Sequence, residues 1–243
     1  DFKLFYFTLY ADDTTVLVSD YSLDRLVCNI NTELPLISKW FMDNKLSLNI
    51  DKSCFILFHH PHKQIDIDSI RVHIGGSVLK NVSSTKFLGL YIDQNITWKD
   101  HIKYIGNRIA KNTVIIRKIS WYVPSHVLLL LYYSLIYPYL IYCNFIWGVN
   151  YKSRLLSLNV LQNRVLRIIF RLPYTVPVEP TRLQHGVLTV DQISILQSLL
   201  FMYKFHYNLQ PNEFSNFFPS MSLTALEINK KKLFLQSLKP ENC

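Results

Sequence analysis

"FYFTLYADDTTVLVSD", residues 5–20, places two neighbouring carboxylates, Asp12 and Asp13, between two runs of aromatic, aliphatic and β-branched residues. Runs of that composition on either side of a short polar break predict a β-hairpin, with strands over 5–10 and 14–19 and "ADD" at the turn. A hairpin tip projects past its sheet, so both acids are expected to be exposed and close together. Carboxylate oxygens are ligands that Mg²⁺ prefers, and a pair of them leaves coordination sites for water and phosphate oxygens. An Asp-Asp turn with no other role than solvation has the same appearance, so the rest of the chain has to decide.

The chain has 243 residues, 49% of them apolar, which is enough for one large domain or two modest ones with a real core. Gly is scarce at 6, against 15 Tyr and 15 Phe, and neither Gly-rich phosphate-binding string occurs. Charge is unevenly spread. Residues 1–100 hold 10 Lys and Arg against 12 Asp and Glu, whereas residues 101–243 hold 16 against 5. An acidic front and a strongly basic back suggest a metal- or phosphate-handling unit joined to one that grips a polyanion; a basic protein with no such partner is the plain alternative. Cys28, Cys54, Cys143 and Cys243 are far apart and form no C-x-x-C, which points away from a zinc ribbon and towards a reducing, intracellular setting.

From Ser22, apolar residues recur at three- and four-residue spacing (Leu23, Leu26, Val27, Ile30, Leu34, Ile37, Trp40, Phe41), which predicts an amphipathic helix kinked or restarted at Pro35. Residues 46–58 alternate and then run apolar, predicting a second strand pair with a loop over 51–53. Residues 63–82 are expected to be a loop and a short hairpin turned by Gly75 and Gly76. Residues 85–98 read as another strand with a turn near "DQN". After Trp98 the periodicity becomes helical: 99–119, an apolar pair over 125–147 broken near Pro138, 152–172, and 186–210 beyond a Pro-rich connector. The expected architecture is α+β over 1–98, all-α over 99–172, and a connector with a C-terminal helical region over 173–243. The uncharged stretch 127–149 is long enough for a membrane span. Pro138 and aromatic residues scattered along its length favour a buried helix instead, and no membrane partner is expected.

Several strings in order resemble the reverse transcriptases of non-LTR, LINE-type retrotransposons of the jockey or CR1 kind, over nearly the whole chain. "YADD" with "TTVLV" is similar to that family's catalytic hairpin. "WFMDNKLSLNIDKSCFILF", residues 40–58, resembles the segment that follows it, with Trp40, Asn44, Leu46, Leu48, Asn49 and Lys52 in matching places. "KFLGLYIDQNITWKDHI", residues 86–102, looks like the primer-grip strand and turn. "LYYSLIYPYLIYCNFIWG" and "LQNRVLRIIFRLPY" look like the thumb and the helices after it.

The resemblance implies a partial polymerase palm followed by an all-α thumb. It makes Asp12 and Asp13 ligands of Mg²⁺ or Mn²⁺, and gives Lys52 a contact to the incoming triphosphate or a proton for the leaving pyrophosphate. Lys86, Phe87, Leu88 and Gly89 would hold the primer 3′ end. Arg108, Lys111, Arg117 and Lys118 would contact phosphates of the template–primer duplex. Each also has a plain reading: a surface-loop lysine, core strand residues, a solvated helix face. His59, His60 and His62 lack the helical i, i+4 spacing of a zinc pair and are expected in an exposed loop. In the family a further Asp on an earlier strand completes the site. Asp20, seven residues past Asp13, would lie about 20 Å off along a strand, and Asp24, Asp43 and Asp51 lack a strand-end setting. The chain is therefore expected to be a fragment or degenerate copy, inactive alone. Its partners would be RNA template, DNA primer, dNTP and the remaining polyprotein with its fingers, upstream palm and endonuclease. A non-catalytic nucleic-acid-binding remnant is the alternative, and a membrane-associated protein anchored by 127–149 a third.

Overall fold

A computed structural model describes residues 6–10, 13–63, 65–149, 152–211 and 214. The chain forms two compact units, Asp1–Asn107 and Arg108–Cys243, with the division inside one long helix.

The first unit opens with the expected hairpin. Strands β1 (Tyr6–Tyr10) and β2 (Asp13–Leu17) pair antiparallel, Tyr10 opposite Asp13 and Tyr6 opposite Leu17. Helix α1 (Leu23–Asp43) follows. It buries Leu34 and Ile37 against Ile70, Val72 and Ile74, with Val16, Val18, Val27, Ile30, Phe41, Phe55 and Leu57 packed around them. The helix runs unbroken through Pro35, so it does not restart there. Pro35 lies on the exposed face, where the carbonyl it leaves without a donor, that of Asn31, can be served by water. Trp40, expected in the core, is 48% exposed. It sits at the edge of the apolar stripe, its ring edge-to-face on Phe41 at 5.4 Å.

The strand pair expected over 46–58 is not there. Asn49 caps a 3₁₀ turn (Ile50–Lys52) by accepting from the Lys52 amide at 3.1 Å, and the Ser53 hydroxyl donates back to the Asn49 carbonyl. These local bonds turn the backbone where a ladder would need it extended. Only β3 (Cys54–Phe55) is strand, and it pairs in parallel with the remote β6 (Lys80–Asn81). The Gly75–Gly76 turn forms as expected, joining β4 (His73–Ile74) to β5 (Ser77–Val78), both glycines at positive φ. Residues 85–98 differ again: a tight hairpin, β7 (Ser84–Phe87) and β8 (Leu90–Asp93), replaces the single strand, turning at Leu88 and Gly89. Their φ values of 44° and 87° are the positive φ at both central residues that suits a two-residue connection to the right-handed twist of its strands, and Gly89 takes it without steric cost.

Asp93 organises the passage into the helical part. Its carboxylate accepts from the backbone amides of Asn95, Thr97 and Trp98 at 3.3, 2.9 and 2.7 Å, fixing a turn in which Ile96 and Trp98 both have positive φ. Helix α2 (Lys99–Ile119) starts there. Its Ile102, Ile105, Ile109 and Ile116 are buried, as their spacing predicts.

In the second unit α3 (Ser125–Leu135), α4 (Tyr137–Ile141) and α5 (Asn144–Trp147) replace the expected apolar pair. The first break falls at Ile136, because Pro138 belongs to the first turn of α4 and cannot continue α3. The second lies at Cys143, in a left-handed conformation. Among the described residues no helix is long and apolar enough to cross a membrane. Helix α6 (Lys152–Ile169) buries Leu155, Leu158, Val165, Leu166 and Ile169. The connector is not wholly irregular, for α7 (Glu179–Gln184) forms with Pro180 in its first turn, where no amide hydrogen is required. Helix α8 (Val190–His206) begins at a capping box between Thr189 and Gln192. Residues 215–243 lie outside the described residues.

One polar network runs through this helical core. The Gln162 side-chain amide donates to the Tyr132 hydroxyl and the Leu188 carbonyl, both at 2.8 Å, and its oxygen accepts from Arg182 at 3.1 Å. Arg182 also donates to Asn163 and pairs with Glu179 at 3.6 Å. Burial pushes the Tyr132 hydroxyl up to about 12, so it stays a neutral partner.

Candidate functional site

The connection between Tyr10 and Asp13 is two residues long, and Ala11 and Asp12 lie outside the described residues. Asp13 is described: it is the first residue of β2, exposed at the end of the ladder opposite Tyr10. Three residues further on, Val16 enters the core that also receives Phe55 and Leu57. Lys52, three residues before Phe55, is exposed at the end of the Asn49-capped turn. The segments carrying Asp13 and Lys52 are thus anchored in one core.

The same strand segment is tied to the β7–β8 hairpin. The Val82 amide donates to the Phe55 carbonyl at 3.0 Å, and Cys54 Sγ lies 3.9 Å from Thr85 Oγ1. The His59 amide donates to the Gln94 carbonyl, and the Asn95 side chain donates to the His59 carbonyl. Lys86 is exposed and Phe87 half-buried, while Leu88 and Gly89 form the turn itself. His59 Nδ1 meets the His60 carbonyl, and the His60 and His62 rings lie 5.1 Å apart on the loop.

The donors are of the right kind for a hard divalent ion, but the set is incomplete. Among the described residues no three His, Cys, Asp or Glu side chains come together. Asp20 is already engaged: it accepts from the Ser22 amide at 2.9 Å and pairs with Arg25 at 2.9 Å. The Ser22 hydrogen bond first, then Arg25, hold its carboxyl below the usual range. The described residues alone therefore do not make a metal centre.

Arg108, Lys111, Arg117 and Lys118 are exposed on α2, in the second unit. At about 100° per residue the buried isoleucines fill an arc of about 60°, and these cations are spread round the opposite side.

Sequence reading missed Asp93, whose place in "DQN" gave only a turn signal, and His101. The imidazole Nδ1 of His101 accepts from the Tyr91 amide at 3.4 Å, its ring lies beside those of Trp98 and Tyr104, and burial lowers its pKa to about 4. A histidine among polar helix residues carries no sequence signal of burial.

No family model matches the chain, and no solved structure matches it. Three polymerases of mobile elements do. The probable RNA-directed DNA polymerase from transposon BS of Drosophila melanogaster is 26% identical over 176 residues, 69% of this chain and 18% of its own length. The RNA-directed DNA polymerases from mobile element jockey of Drosophila melanogaster and Drosophila funebris are each 25% identical over 171 residues, 68% of this chain. The matched stretch is again 18% of each relative. The chain is therefore similar to the RNA-directed DNA polymerases of these mobile elements, over a stretch that makes up less than a fifth of their length.

Proposed function

We propose that this chain supplies the catalytic-hairpin, primer-gripping and thumb portion of an RNA-directed DNA polymerase. The observation that carries this reading is the hairpin register. With Tyr10 opposite Asp13, Asp13 closes the end of a two-stranded ladder, in a chain similar to RNA-directed DNA polymerases. In the proposed reaction a primer 3′-oxygen bonds to the α-phosphorus of a dNTP, the bond to pyrophosphate breaks, and the 3′-hydroxyl proton is released. Asp12 and Asp13 would hold Mg²⁺ or Mn²⁺, which supplies charge neutralisation for the triphosphate when bound, and further oxygen ligands would come from the rest of the polymerase. Lys52 would contact the triphosphate or protonate the leaving pyrophosphate. Lys86, Phe87, Leu88 and Gly89 would position the primer end, and Arg108, Lys111, Arg117 and Lys118 would contact the duplex backbone.

The apolar surface of the hairpin fits such a role. Tyr6, Leu9, Tyr10 and Leu17 are 55 to 74% exposed, as expected of strands whose sheet continues in another part of a larger enzyme. Primer extension tests the reading. The 243 residues alone are expected to incorporate no dNTP, and robust incorporation abolished by Asp12→Ala would show that no further acid is needed. Within the longer polyprotein, Asp13→Ala is expected to abolish incorporation; unchanged incorporation rejects the polymerase reading. The exposed cations of α2 favour a second reading, a non-catalytic nucleic-acid-binding remnant, marked by salt-sensitive duplex binding that survives Asp12→Ala without polymerisation.

A further inference from the structure

Where α2 and α6 end, three arginines gather round one open cleft of about 400 Å³. Arg117, Ser120 and Trp121 line one side, and Arg167, Arg171 and Leu172 the other. All belong to the second unit. Two of the guanidinium groups are held in place by neutral acceptors. Arg167 donates to the carbonyls of Pro173 and Val176 at 2.6 and 2.7 Å, and Arg171 donates to the Ser120 carbonyl at 3.0 Å. Arg171 reaches that carbonyl from a left-handed backbone at φ 53°, a conformation unfavourable for a non-glycine residue.

Carbonyl contacts orient a guanidinium without cancelling its charge, and most of its five donors remain for a ligand. The ion pairs among the described residues are Arg25 with Asp20 and Arg182 with Glu179, so the cleft arginines have no carboxylate there. Three converging cations of this kind fit an anion with several acceptor oxygens, such as a phosphodiester. Aromatic rings stand beside them. Trp121 is 82% exposed, and Tyr174 is 92% exposed with the Arg167 guanidinium 5.4 Å from its ring centre. Exposed rings next to a cationic track offer stacking faces to unpaired bases, which a duplex keeps stacked within itself.

We propose that this cleft binds single-stranded nucleic acid, with Arg117, Arg167 and Arg171 on the phosphates and Trp121 and Tyr174 stacking on bases. The inference rests on the nucleic-acid reading of the helical region and not on the polymerase reading, so Asp12→Ala and Asp13→Ala are expected to leave it intact.

Fluorescence anisotropy of the full chain with a labelled oligothymidylate of about fifteen nucleotides tests it. Arg117→Gln with Trp121→Ala, both at exposed positions, is expected to weaken binding about tenfold and to lower the salt slope by about 0.7. The matched pair Lys204→Gln with Tyr207→Ala on α8 should change affinity less than about twofold, and the cleft pair should cost a blunt duplex of equal length clearly less than it costs the single strand, because a duplex can lose only the Arg117 contact and not the stacking on Trp121. An equal loss in the control, no loss in the cleft variant, or an equal loss on the duplex overturns the proposal. Ultraviolet crosslinking of a bromouridine oligonucleotide to the unaltered chain gives a readout independent of variant folding. Adducts at Trp121 or Tyr174 are expected, and adducts only elsewhere overturn it.

Discussion

Tyr132, Ile136, Leu140, Trp147, Leu158 and Leu166 in the helical unit are buried completely, whereas Leu34, Ile37, Ile70, Val72 and Ile74, the core under α1, each keep 3 to 8% of their surface. The difference follows from where each kind of element finds its hydrogen bonds. A helix satisfies its backbone from residues four apart and has only one face to bury. Strands two to five residues long take half their partners from other strands, and the two-stranded sheets among the described residues leave many edges and faces in water. The helical unit can therefore carry the hydrogen-bonded Tyr132–Gln162–Arg182 network at its centre, with Arg182 Nε left without a hydrogen bond, while the strand-rich unit relies on side-chain turns such as those of Asn49 and Asp93.

The most severe way to break this contrast is to attack the network. Gln162→Leu leaves the Tyr132 hydroxyl, the Leu188 carbonyl and the buried Arg182 short of partners, and should lower the free energy of unfolding by about 3–5 kcal/mol. Denaturant unfolding followed by far-ultraviolet circular dichroism measures it; a loss below about 1 kcal/mol would mean the helical core does not depend on Gln162.

A smaller effect belongs to His101, whose pKa is lowered from 6.5 to about 4. Between those values the unfolded chain binds more protons than the folded one. The stability is thus fully present above pH 6.5 and is lost as the pH falls towards 4, by about 3 kcal/mol. His101→Asn keeps an acceptor near the Nδ1 position and should remove that share of the pH slope, seen as the difference between the two unfolding profiles. Parallel profiles would show that His101 is not held neutral.

The smallest effect sharpens the comparison from the other side. Leu9→Thr, at a strand position 66% exposed, should shift stability by no more than about 0.5 kcal/mol. A loss of several times that would show the hairpin to be covered in solution.

Much of the architecture was legible from local signals. "YADD" between β-forming runs, the double glycine at 75 and 76, the isoleucine spacing of α2 and the helical pattern over 186–210 each encode their element locally. The two-residue strand β3 was not legible, because its parallel partner lies 26 residues away, and the turn chemistry of Asn49 outweighed an alternating pattern. The reversal at Leu88 and Gly89 was hidden for a related reason, since an apolar strand sequence gives no sign of a chain that turns on one glycine.

By itself the sequence determined the acidic hairpin, the change from strands to helices near Trp98, the basic character of the second half and the similarity to mobile-element polymerases. Those properties are written in contiguous residues and in composition. Only the tertiary structure decided that Asp20 is occupied by Arg25, that His101 is buried, and that Arg117, Arg167 and Arg171 share a cleft. The cleft arginines are separated by up to 54 positions in the chain, and what unites them is the meeting of two helix ends, a product of packing that no local pattern records.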